Sequence, residues 1–116
     1  MKKIKLPDIV ESAKKRPLSI NPETGNYIYY DDIETGKEKI TPLKDLNEDQ
    51  LLKLSIERHL SDEPSTLVTL NGESFDSQQA AKEIQKQTKV GKQFFSSDMN
   101  YLKYYLSQFP KESFEK

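Results

Sequence analysis

The chain has no cysteine, no tryptophan, one histidine, two arginines and four glycines. Without cysteine there is no disulfide scaffold, no thiolate zinc site and no cysteine nucleophile. The same absence suits a reducing cytoplasm. With His59 as the one histidine, every His-dependent triad would have to use it. Glu57 is at i−2 from His59, and Asp62, at i+3, falls past the expected helix end, so His59 reads as a partly exposed helix histidine. Long apolar runs are missing too. No stretch approaches the roughly 20 apolar residues that span a bilayer, and residues 1–20 lack the apolar core of a secretory signal. A soluble, cytoplasmic chain is expected.

What is present is polar. Only 34% of residues are hydrophobic and 32% are charged. A chain of 116 residues suits one domain with a lean core. The expectation is a single domain over residues 1–116, with 1–6 and 111–116 as flexible tails. The net charge of −1 is unevenly spread: +4 in residues 1–16, −8 in 17–80 and +3 in 81–116. Such a layout serves either internal pairing or a polarised surface for a partner.

The punctuation predicts the elements. Pro7 and Asp8 open a short helix over about Ile9–Lys15, and Arg16-Pro17 closes it. Leu18-Ser19-Ile20 alternates like a strand. Asn21-Pro22-Glu23-Thr24-Gly25 is a turn. Asn26–Asp31 is a strand rich in Tyr and Ile. Glu34-Thr35-Gly36 repeats the turn chemistry, and Lys37–Thr41 returns as a third strand, completing a meander. Asn47 with Gln50 at N3 marks a helix start, stapled by Leu46 and Leu51, and that helix runs to about Leu60 before Ser61-Asp62-Glu63-Pro64. Ser65–Leu70 reads as a strand and Asn71-Gly72 as a turn. Asp76 with Gln79 starts a helix that stops near Lys89, with Gly91 as its C′ residue. Lys92–Ser96 links to a last helix over about Asp98–Gln108, capped by Ser96 or Ser97. The predicted class is α+β: a small antiparallel sheet, three-stranded meander plus one further strand, with about four helices in the order α-β-β-β-α-β-α-α.

Gly25-Asn26-Tyr27-Ile28-Tyr29-Tyr30-Asp31, then Thr35-Gly36-Lys37, then Pro42 resembles the WW domain in its run of strand aromatics, turn and closing proline. The resemblance covers under twenty residues and implies hairpin geometry. Both characteristic tryptophans are absent, and Ile40 stands near the place of the ligand-contacting one. No proline-clamping function is carried over.

Helical spacing sorts the side chains by face. In the last helix Met99, Leu102, Tyr105, Leu106 and Phe109 share an arc of about 120°. Tyr101 and Tyr104 fall outside it. In the Asn47–Leu60 helix, Leu52, Ile56 and Leu60 form one stripe while Leu51 and Leu54 point elsewhere. Such a helix is either central or shows one side to another chain. In the third helix Ala80, Ala81, Ile84 and Thr88 face inward. Lys82, Lys86 and Lys89 form a cationic ridge opposite.

No complete catalytic motif stands in the sequence. Asp31, Asp32, Glu34 and Glu38 around Gly36 do not match the calcium-loop spacing. Val90-Gly91-Lys92 lacks the P-loop pattern, and nothing selects one carboxylate pair among nineteen acidic residues. The expected function is a small, non-enzymatic, intracellular protein-interaction protein: an adaptor, regulator or accessory subunit, or an inhibitor of a host machine. Tyr101 and Tyr104 are the expected contact residues, because tyrosine is favoured in contact surfaces. Leu51 and Leu54 form a second candidate patch, which a homo-oligomer would also suit. The alternative is a nucleic-acid-associated accessory protein using the basic N-terminus and Lys82, Lys86 and Lys89. The scarcity of arginine and the net acidity count against it. No cofactor, metal or membrane partner is expected.

Overall fold

The structure, a computed structural model, describes residues 5–61, 66–68 and 72–114. It is a small mixed fold of helices and short antiparallel strands. The first hairpin joins β1 (Ser19–Ile20) to β2 (Tyr27–Ile28), with Ser19 opposite Ile28 and Ile20 opposite Tyr27. The expected turn closes it. The Asn21 carboxamide oxygen accepts from the Glu23 and Thr24 amides at 2.9 and 3.3 Å. Gly25, at φ 78°, supplies the left-handed position that a side chain would strain.

The strand expected over Asn26–Asp31 ends at Ile28, and α1 (Tyr30–Glu34) follows. Three local features favour the helix over the β-propensity of Tyr-Ile-Tyr-Tyr. Asp31 and Asp32 sit in the first turn, at the positive end of the dipole. The Asp32 carboxylate accepts from the Tyr29 amide at 3.1 Å. Gly36, at φ 79°, sits just past the C-terminal end, so Thr35-Gly36 is a helix stop rather than a hairpin turn. Tyr30 and Ile33 lie one turn apart and are both buried. The third strand of the meander is therefore absent. Within Lys37–Thr41, Ile40 alone makes a bridge, parallel to Phe114, and its amide donates to the Ser113 carbonyl at 2.7 Å. The WW-like geometry does not form.

Both capping boxes form as their sequences require. Asn47 and Gln50 exchange side-chain-to-amide bonds of 2.8 and 2.9 Å at the start of α2 (Glu48–Leu60). Asp76 and Gln79 do the same at 2.7 and 2.9 Å for α3 (Ser77–Lys86). Between these helices a second hairpin pairs β3 (Thr66–Val68) with β4 (Ser74–Asp76). β4 was not foreseen. The turn at Asn71, the Asp62–Pro64 helix end and the outer residues of both tails lie outside the described residues. Of the expected tails, Leu6 packs on the core. Residues Lys111–Ser113 form a 3₁₀ turn with Ser113 buried.

α4 spans Lys89–Leu106 and so begins well before Asp98. Gly91 is not a C′ residue; it lies inside the first turn of α4. α3 instead ends at Gln87, whose φ of 56° is left-handed. Thr88 then caps α4, accepting from the Gly91 amide at 3.1 Å. A β-carbon on Gly91 would overlap the Glu83 carbonyl and lie 2.8 Å from the Ile84 nitrogen. The glycine is there because the end of α3 presses against the start of α4.

α2 packs against α3, α4 and β1, making it the central helix. Its buried side chains are Leu54, Ser55 and Arg58, with Leu51 half-buried against the core. Of the Leu52, Ile56 and Leu60 stripe, the first two are half-buried and Leu60 is 51% exposed. The core joins Leu18, Ile20, Ile28, Ile33 and Ile40 to Leu54, Leu102 and Leu106. Each such side chain contributes about 1.5–3 kcal/mol when fully buried.

Gly91→Ala should destabilise the protein by about 1–3 kcal/mol in urea unfolding. At an ordinary helix position the same change would stabilise it by up to about 1 kcal/mol.

Candidate contact surface

The C-terminal half of α4 turns Leu102, Tyr105 and Leu106 inward, and Phe109 continues that stripe beyond the helix end. Tyr101 and Tyr104 stand outside it, 46% and 69% exposed. The two rings differ in restraint. Tyr101 stacks on Tyr105 with centroids 5.8 Å apart and planes 15° from parallel. The Arg58 guanidinium lies 5.4 Å from its centroid, held from α2 by an Nη1–H bond to the Pro17 carbonyl at 2.7 Å. Tyr101 is thus braced from below by a ring and a cation. The Tyr104 ring makes no aromatic contact among the described residues and projects into solvent.

Tyr105 carries the load beneath. Its ring meets Phe109 edge-on at 5.1 Å, and Phe109 meets Tyr30 at 6.4 Å. The Tyr30 hydroxyl donates to the Pro7 carbonyl at 2.9 Å. The Tyr105 hydroxyl is buried with no hydrogen-bond partner. Burial, helped by neighbouring Tyr30, Tyr101 and Asp8, pushes its phenol up to about 12. The N-terminal tyrosines are spent on the fold: Tyr30 is buried, and Tyr27 and Tyr29 are half-buried.

The other expected contact residues are placed differently. Leu54 is fully buried in the core and Leu51 packs against it, so the pair is no surface patch. Of the two arrangements that helical spacing allowed, α2 adopts the central one, between α3, α4 and β1, and so buries the Leu54 side. Lys82, Lys86 and Lys89 are all exposed. They do not share one helix: Lys86 ends α3, Gln87 turns left-handed, and Lys89 opens α4. The i, i+4, i+7 spacing loses its meaning at that break.

One polar cluster escaped sequence reasoning. Asp98 of α4 brings Ser55 and His59 of α2 together. One carboxylate oxygen, Oδ2, accepts from Ser55 Oγ at 2.5 Å and meets His59 Nε2 at 2.9 Å. Since a carboxylate only accepts, His59 is the donor in this contact, through Nε2–H. The i, i+4 spacing of Ser55 and His59 was readable, but their acceptor lies 39 residues beyond His59. In a nucleophile–base pair the serine hydroxyl would donate to the imidazole. Here it is spent on the carboxylate, and Ser55 is fully buried. The cluster works as a clamp between α2 and α4. Phe94 packs beside His59 at 6.3 Å, and Phe75 beside Phe94 at 5.5 Å.

Among the described residues no group of three or more His, Asp or Glu side chains could hold a metal ion. Of the acidic cluster around Gly36, Asp32 caps α1 and Glu38 receives the Asn21 side-chain amide at 3.5 Å. No described helix is long and apolar enough to cross a membrane. Scans against family models, curated proteins and solved structures found no match to this chain. Its surface chemistry therefore carries the functional reading.

Tyr105→Phe should leave neutral-pH stability unchanged or raise it by about 1 kcal/mol, since it deletes an unpaired buried hydroxyl. It should also flatten the alkaline limb. In the folded state the Tyr105 phenol is raised from 10.0 to about 12. Below pH 10 both states keep the proton. Between those values the unfolded chain ionises first, and stability falls as pH rises. Denaturant midpoints across that window should fall less steeply for Tyr105→Phe than for the wild type. Asp98→Ala, by contrast, strands the Ser55 hydroxyl and His59 together and should cost about 2 kcal/mol or more in the same assay.

Proposed function

We propose that this chain is a protein-interaction module, an adaptor, regulator or accessory subunit, that offers Tyr101 and Tyr104 to a partner protein. The observation that carries this reading is the pair of exposed rings on α4, one of them braced. Among the described residues most large apolar side chains are withdrawn from solvent, Val10 and Leu60 apart, yet Tyr101 and Tyr104 are 46% and 69% exposed. A tyrosine offers a large apolar face with a polar tip and only two side-chain torsions to freeze. Bracing by Tyr105 and Arg58 lowers the entropy lost when Tyr101 docks. Tyrosines of this kind concentrate binding energy in contact surfaces.

The polar cluster with the most chemical potential, Ser55, His59 and Asp98, is consumed by helix–helix clamping.

The test pairs binding with stability. The chain is immobilised, the captured partner is identified from its native cell, and affinity for that purified partner is then measured. Tyr101→Ser with Tyr104→Ser should weaken binding by about tenfold or more, from about 1.4 kcal/mol of lost contact. Tyr104→Ser alone should leave the melting temperature within about 2 °C, and the pair should lower it by only a few degrees through the lost Tyr101 stacking. Unchanged affinity, or a collapse of the melting temperature, would overturn the reading.

A further inference from the structure

A second surface feature lies across the core stripe from Tyr101. At about 100° per residue, Lys103 and Ser107 flank that stripe on one side and Tyr101 on the other. Between this flank of α4 and the segment entering the 3₁₀ turn Leu43–Asp45 opens a shallow cleft of about 270 Å³. Pro42, Leu43, Leu106 and Phe114 supply its apolar lining, and Lys44 and Lys103 belong to its two walls. Phe114 is set there by the Ile40 bridge, which joins the C-terminal segment to the domain.

Lys44 and Lys103 are exposed, and neither forms an ion pair with any described residue. Lys44 belongs to the acidic middle of the chain and Lys103 to its basic last third, and the fold sets both on one apolar cleft. The volume falls just below the roughly 300–1,000 Å³ usual for small-molecule sites. It suits a single large apolar side chain delivered from outside.

We propose that this cleft docks a short acidic peptide segment of a partner protein, with one Phe or Leu side chain in the cleft and flanking carboxylates against Lys44 and Lys103. The apolar contact supplies affinity, and the two lysines select sign and register. The site is separate from the tyrosine surface and stands or falls without it.

The experiment titrates the ¹⁵N-labelled full chain with four probes. They are a short peptide with one Phe between Asp residues, its Lys-for-Asp counterpart, its Ala-for-Phe counterpart, and decanoate. The acidic Phe peptide should shift the amides of Leu43, Lys44, Lys103 and Ser107, with affinity falling as salt rises from about 0.05 to about 0.5 M. Both altered peptides should bind at least about tenfold more weakly. Lys44→Glu with Lys103→Glu should produce the same loss while the spectrum remains that of the folded protein. Tyr101→Ser with Tyr104→Ser should leave this binding unchanged, which separates the two surfaces. Equal binding of the basic peptide, no shift at the cleft, indifference to the lysine reversals, or tighter binding of decanoate would each overturn the proposal.

Discussion

α4 buries Leu102, Tyr105 and Leu106 on one face, and that burial sets the helix's rotation about its own axis. At about 1.5–3 kcal/mol for each large side chain, turning the helix to expose this face would cost much of a small domain's stability. Everything displayed on the C-terminal side follows from the setting. Tyr101 emerges on one flank, braced by Arg58; Lys103 and Ser107 emerge on the other, beside the apolar cleft. Tyr104 points nearest to solvent and is the more exposed of the two tyrosines.

Two contacts on the N-terminal side of that face hold α4 in its pose. At Gly91 the helix meets the last turn of α3, at a distance that leaves no room for a side chain. At Asp98 it is tied to α2 through Ser55 and His59. The first contact is steric and fixes how near the helices approach. The second is polar and directional, and resists sliding along the axis. Side chains of versatile chemistry are thereby engaged between helices, while plainer ones further along the same helix face outward.

Much of the local architecture was legible in the chain. Asn47 with Gln50 and Asp76 with Gln79 announced two helix starts, because each capping box is complete within four residues. The Asn21–Gly25 turn was equally self-contained. The outward placement of Tyr101 and Tyr104 followed from periodicity, since the core stripe of their helix is apolar and continuous. Legibility failed where two local readings competed. Tyr27–Tyr30 has strand composition, yet Asp31, Asp32 and Gly36 bracket a helix, and the buried face of Tyr30 and Ile33 favours it. Gly91 was read as a stop because a glycine after a helix usually is one; nothing nearby in sequence reveals that Glu83 would fill the space of its side chain.

The division has a physical cause. Caps, left-handed glycines and the spacing of apolar residues act within a turn or two of backbone, so residue order alone specifies them. Which side of α2 becomes interior depends on where α3, α4 and β1 settle around it, and that buried Leu54 rather than leaving it on a surface. The partner of His59 depended on the same arrangement, because Asp98 reaches it only once α2 and α4 are packed. The cleft at Lys44 and Lys103 belongs with these. Its walls come from segments some sixty residues apart in sequence, and only long-range packing brings the two lysines to one apolar hollow.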